Sequence, residues 1–156
     1  MTVLDPSEVA PVPWRNGAGA TRVLATGKDA SGHVLWRISV ADLEDTTPFS
    51  RFPGLDRVLV ALGPLRLQVG DRAADLVAGD QVRFAGDEAV SAYAEHPTQA
   101  LNVMTRHGRH QAEVRLRSGA DVTTPGTTRT VRLAGSSTRR CGGLFADVLI
   151  TDLADG

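Results

Sequence analysis

The stretch Leu65-Arg66-Leu67-Gln68-Val69-Gly70 alternates apolar and polar side chains with a period of two. A strand sends successive side chains to opposite faces, so the pattern predicts a strand with one buried face. The same alternation recurs elsewhere. Trp36, Ile38 and Val40 alternate with Arg37, Ser39 and Ala41, Val114 and Leu116 with Arg115 and Arg117, and Val131 and Leu133 flank Arg132. Unbroken apolar runs at 58–62 and 148–150 predict more deeply buried strands. Gly63-Pro64, Gly70-Asp71, Gly79-Asp80, Gly86-Asp87, Pro125-Gly126 and Gly142-Gly143 punctuate these runs as turns. Sixteen glycines and eight prolines leave no room for long helices, and the best helical candidate is a short turn over 50–56, interrupted by Pro53. Many short strands with frequent turns predict an all-β sandwich or closed barrel.

The chain's 156 residues suffice for one domain, taken as 1–156, and neither a linker nor an internal repeat divides it. A composition of 42% hydrophobic and 22% charged residues is that of a globular protein. The net charge of -1 provides no field to gather nucleic acid or an anionic membrane. No apolar run reaches the roughly 18 residues that span a bilayer, and the first twelve residues lack the pattern of a signal peptide. Cys141 is the only cysteine, so no internal disulfide forms, and the cytoplasm is the expected compartment. Lys28 is the only lysine; the rest of the basic charge is arginine, whose planar fork suits carboxylates.

The segment Val12-Pro13-Trp14-Arg15-Asn16-Gly17-Ala18-Gly19-Ala20-Thr21-Arg22 has neither the third glycine of a dinucleotide fingerprint nor the Gly-Lys-Ser/Thr of a phosphate loop. It reads either as a loop whose glycines allow positive φ or close backbone approach, leading into a strand over 21–25, or as a structural turn with Trp14 capping the core. Pro48-Phe49-Ser50-Arg51-Phe52-Pro53-Gly54-Leu55-Asp56-Arg57 carries two of the four phenylalanines on a proline-stiffened loop. Either Phe49, Ser50 and Phe52 wall a pocket in which Arg57 holds an anion, or the phenylalanines plug the barrel end and Asp56 pairs with Arg57 at the surface. Periodicity leaves open which face of 35–41 points inward.

Three of these motifs, in order, carry a resemblance. Pro13-Trp14-Arg15-Asn16-Gly17-Ala18-Gly19, Trp36-Arg37-Ile38-Ser39-Val40-Ala41 with the Pro48–Arg57 stretch, and Leu101-Asn102-Val103-Met104-Thr105-Arg106 together resemble the HutD/Ves family. The resemblance implies a metal-free, cofactor-free cupin (RmlC-like jelly-roll) barrel, with a compact bicupin-like arrangement as a variant. It implies a cytoplasmic protein that binds a small acid of histidine catabolism, such as urocanate or formylglutamate, and moderates that pathway. The chain departs from the family at Val23 and Ala100, where acidic residues are usual, and it is shorter than typical members.

The expected ligand set is Asn16, Trp36, Arg37, Ser39, Phe49, Ser50, Arg57, Asn102 and Met104. An arginine fork from Arg37 or Arg57 would take the carboxylate, and Asn16 and Asn102 would supply paired donors and acceptors. Trp36, Phe49 and Met104 would form apolar wall. No metal site is expected, because His33, His96, His107 and His110 include no His-x-His pair. No residue stands out as a nucleophile: Cys141 has no evident histidine partner, and Ser136 and Ser137 lie outside a nucleophile elbow. Asp42, Glu44 and Asp45 read as a solvated loop. An enzyme would have to draw its base from groups such as His96 or Asp42. Barrels of this type pair through their sheets, so a homodimer is compatible with the reading, as is a non-catalytic β-domain.

Overall fold

Two long strands organise the molecule. β4 (Val34–Pro48) and β9 (Val90–Arg106) pair antiparallel over nearly their whole length, from Trp36 opposite Thr105 to Pro48 opposite Ser91. A register shift between Leu43 and Asp45, with Asp45 at φ 54, bends the pair in the middle. Bulges of this kind increase twist and let a sheet curl into a barrel. The computed structural model describes residues 3–15, 17, 19–118, 124–133 and 144–153.

On one side of β4 lie β3 (Gly19–Lys28) and the short β2 (Val12–Pro13). On the other side of β9 lie β5 (Leu55–Ala61) and then β8 (Gln81–Ala85), while the first residues of β9 also pair β6 (Leu65–Val69), itself joined to β7 (Arg72–Leu76). A second sheet runs in the order β1 (Val3–Leu4), β11 (Arg129–Leu133), β12 (Leu144–Asp152), β10 (His110–Ser118).

Alternation along the strands divides the apolar residues into two cores. Ala41, Leu43, Leu59, Leu65, Leu67, Val69, Phe84 and Ala92 fill the interior of the curled sheet. Ile38, Val40, Val58, Val60, Leu101 and Val103 point the other way, onto Val114, Val131, Ala146 and Val148 of the second sheet. The central strands are therefore buried on both faces, which is why 58–61 reads as a continuous apolar run.

β8 and β10 are each an edge strand of their sheet. They are tied by side chains: Gln81 Nε2 donates to the Val114 carbonyl and Arg83 Nη2 to the Ala112 carbonyl, each at 2.9 Å. This satisfies edge carbonyls that would otherwise offer a template to another strand. Asp147, fully buried on β12, accepts from Arg117 Nε (2.9 Å), Thr130 Oγ1 (2.8 Å) and the Thr124 amide (3.0 Å).

The expected helical turn over 50–56 does not form. Pro53 and the left-handed Gly54 (φ 84) make a tight turn, and Asp56 already belongs to β5. The helical segment present among the described residues is a 3-10 turn at Pro6–Glu8. Asp42, Glu44 and Asp45 lie on β4 instead of in a loop, with Asp42 bonded to Arg22 and Gln99. Among the described residues no helix is long and apolar enough to cross a membrane.

Candidate functional site

The register of β3, β4, β9 and β5 decides which side chains meet inside the barrel. Arg37 lies opposite Met104, and Met104 opposite Arg57. One step along, Val23 faces Ser39, Ser39 faces Asn102, and Asn102 faces Leu59. The next step is small throughout: Ala41, Ala100 and Ala61. The short side chains of Ser39 and Ala41 beside two long arginines leave an unfilled volume, a cavity of about 330 Å³ bounded by Val12, Pro13, Trp14, Thr21, Val23, Arg37, Ser39, Ala41, Phe49, Ser50, Phe52, Arg57, Asn102 and Met104.

Arg57 dominates the wall. It is only 5% exposed, and its guanidinium donates to Asn102 Oδ1 at 3.1 Å and to the Ser50 carbonyl at 3.3 Å. The group is stacked near Phe84 (5.0 Å), Phe49 (5.3 Å) and Phe52 (5.4 Å), so three of the chain's four phenylalanines surround one cation. Its Nε is buried without an acceptor, as is the Nε of Arg37. No carboxylate neutralises Arg57 among the described residues, and burial alone lowers its pKa to about 10. It stays charged at neutral pH, as a desolvated cation held in place by neutral acceptors and aromatic rings.

Trp14 closes the mouth. Its Nε1 donates to Thr21 Oγ1 at 2.6 Å, and its ring meets Phe49 edge-on at 5.9 Å. On the opposite side Gly86 lets the loop settle: a Cβ there would lie 2.2 Å from the Phe52 carbonyl oxygen and 2.6 Å from that of Leu55. The Phe52 amide in turn donates to the Gly86 carbonyl.

Of the expected ligand set, Arg37, Ser39, Phe49, Ser50, Arg57, Asn102 and Met104 share this one cavity. Trp36 does not. The pleat that turns Arg37 and Ser39 inward sends Trp36 to the other face, where it packs beside the inter-sheet core with Arg129 5.6 Å from its ring. Asn16 lies outside the described residues, as do Ser136, Ser137 and Cys141. Asp56 does not pair with Arg57; it faces away and meets His107 Nδ1 at 2.9 Å. Val12, Pro13, Trp14, Thr21, Val23, Ala41 and Phe52 complete the wall without having been in the expected set. Thr21 and Val23 share the inward parity of β3, a signal that alternation offered once the inward face was known.

The described lining holds no imidazole, carboxylate or thiol. Two guanidinium groups and neutral amide and hydroxyl groups are the wrong donors for a metal cation, and the right ones for an anion. Among the described residues no three His, Cys, Asp or Glu side chains gather as metal ligands.

A HutD family model matches residues 6–138. The chain belongs to the HutD family. It is 37% identical over 108 residues to Protein Ves of Citrobacter koseri, a match covering 66% of this chain and 56% of that relative. The match thus spans little more than half the length of the relative. The structure of HutD from Pseudomonas fluorescens SBW25 superposes with a TM-score of 0.78 at 20% identity, covering 96% of this chain and 97% of that one. An RmlC-like cupin from Shewanella frigidimarina NCIMB 400 superposes at 0.52 and 10% identity over 64% of this chain and 86% of that one. The all-β fold of this HutD-family chain is thus cupin-like.

Proposed function

We propose that this chain binds a small carboxylic acid in the barrel cavity and acts as a binding, moderating component of histidine utilisation, with urocanate or formylglutamate as the acid. What carries the reading is Arg57: a cation at neutral pH, only 5% exposed, in contact with an open cavity and lacking a carboxylate partner among the described residues. A ligand carboxylate supplies the missing charge and accepts from N–H groups that are otherwise wasted, in a medium where charge-assisted bonds are strong. Asn102, with Oδ1 committed to Arg57, leaves its NH2 as a donor for a formyl, amide or imidazole acceptor.

Binding is favoured over turnover because the described lining contains no group able to move a proton near neutral pH. The pathway assignment comes from family membership and extends the site's chemistry to named acids. A cytoplasmic location and a homodimer belong to the same proposal.

Calorimetric titration with urocanate, formylglutamate and histidine tests it. One of the acids is expected to bind the wild type with one-site stoichiometry and to weaken at least tenfold, about 1.4 kcal/mol, in Arg57→Ala. Silence from all three with folded wild-type protein contradicts the proposal.

A further inference from the structure

Between the two cavity arginines, on the same row of the sheet, stands a thioether. Arg37 is the register partner of Met104 on one side and Arg57 its partner on the other, and all three line the cavity. Cross-strand neighbours on one face hold their Cβ atoms about 5 Å apart, so the sulfur side chain lies between two guanidinium stems. Each stem carries a buried Nε–H with no acceptor. Met104 is only 5% exposed, but it borders a cavity of about 330 Å³. A water occupies roughly 30 Å³ of liquid, so a peroxide fits beside the sulfur.

The geometry points to Met104 as a reversible oxidation site that shuts the cavity to acids, an inference that rests on the acid-binding reading. A peroxide delivers one oxygen atom: the sulfur lone pair attacks it, the O–O bond breaks and the S–O bond forms. Sulfur is oxidised by two electrons, and hydrogen peroxide leaves as water. The product is a sulfoxide, whose oxygen is a strong acceptor placed among donors that have none. It takes the N–H groups a ligand carboxylate would use and occupies space within the cavity. Because the oxygen finds partners, the lesion is tolerated by the fold, unlike a sulfoxide forced into an apolar core. Enzymatic reduction of the sulfoxide restores the thioether and the site.

The test treats the full-length protein with hydrogen peroxide, maps the modification by peptide mass spectrometry, and repeats the titrations with urocanate and formylglutamate. Met104→Leu, a volume-conserving change, is the control. One added oxygen on Met104, removed by methionine sulfoxide reductase, is expected, with acid affinity lowered at least about tenfold. Met104→Leu is compared only with itself: peroxide leaves the affinity of the treated variant equal to that of the same variant untreated, whatever its starting value. A second readout needs no ligand: oxidation lowers the melting temperature of Arg37→Ala more than that of the wild type, because the variant has lost one donor to the sulfoxide. Met104 resisting peroxide that oxidises the unfolded chain overturns the inference, as does undiminished acid binding by oxidised protein or an equal melting shift with and without Arg37. Untreated wild type that binds neither acid sinks the acid reading alone, and the melting comparison then still decides whether the sulfoxide takes the arginine donors.

Discussion

Arg57 and Asn102, 45 residues apart in the chain, meet inside the barrel with Nη2 3.1 Å from Oδ1. A neutral amide thus stands where a carboxylate would normally compensate a buried guanidinium. The pair holds the cation in place without cancelling its charge, and that uncancelled charge is what the site has to offer an anion.

Such a charge is a liability to the fold. Burial lowers the Arg57 pKa to about 10, so at neutral pH the folded state holds a proton that burial disfavours; the unfolded state binds it more tightly. That penalty is present in full below about pH 10 and fades only as pH rises past that value. Arg57→Met keeps most of the volume and removes the charge. Its melting temperature is expected to equal or exceed that of the wild type while acid binding is lost, and calorimetry of both proteins at pH 7 checks the trade. A large drop in melting temperature would mean that Arg57 is structural.

Asn102→Asp supplies the missing carboxylate from within. The new side chain is expected to pair with Arg57 and compete with any ligand anion, weakening acid binding by at least about tenfold with little change in stability. Equal affinity in wild type and variant would separate Arg57 from ligand recognition.

Asp147 behaves in the opposite way. Burial pushes its carboxyl up, but donation from Thr124, Thr130 and Arg117 outweighs burial and leaves it below the ordinary carboxylate range. A carboxyl lowered in the folded state contributes stability that is present above its unfolded value and lost as pH falls through the folded one. Asp147→Asn is therefore expected to cost about 3 kcal/mol at pH 7, with a gap to the wild type that narrows only in strong acid. Urea melts across acidic pH read this directly, and a gap constant with pH contradicts it.

The side-chain rungs from Gln81 and Arg83 guard two sheet edges at once. Replacing both by alanine is expected to cost about 2 kcal/mol and to promote self-association above the wild-type state. Sedimentation velocity over a concentration series would reveal it. An unchanged distribution would show that the edges are guarded by shape alone.

Much of this was legible from period-two alternation. The stretch at 65–69 becomes β6 with the bounds its pattern gives, and the inter-sheet core repeats the apolar parity of 36–40 and 58–62. What alternation leaves undecided is direction. At 36–41 both faces of the strand are buried, one by the second sheet and one by the barrel, so Trp36 and Arg37 are equally good inward candidates until Val103 and Asn102 are set beside them. The tryptophan, the more apolar residue, goes to the dry interface, and the arginine goes to the cavity. The turn over 50–56 failed for a local reason: Gly54 adopts a left-handed conformation, and Phe52 is claimed by the Gly86 carbonyl.

The most direct measurement is a crystal structure of the protein soaked with urocanate or formylglutamate. A carboxylate oxygen within about 3.2 Å of an Arg57 or Arg37 nitrogen, with the body of the acid against Met104 and Phe49, is the predicted result. An acid bound elsewhere on the protein, with the barrel cavity holding only water at saturating ligand, would contradict the account.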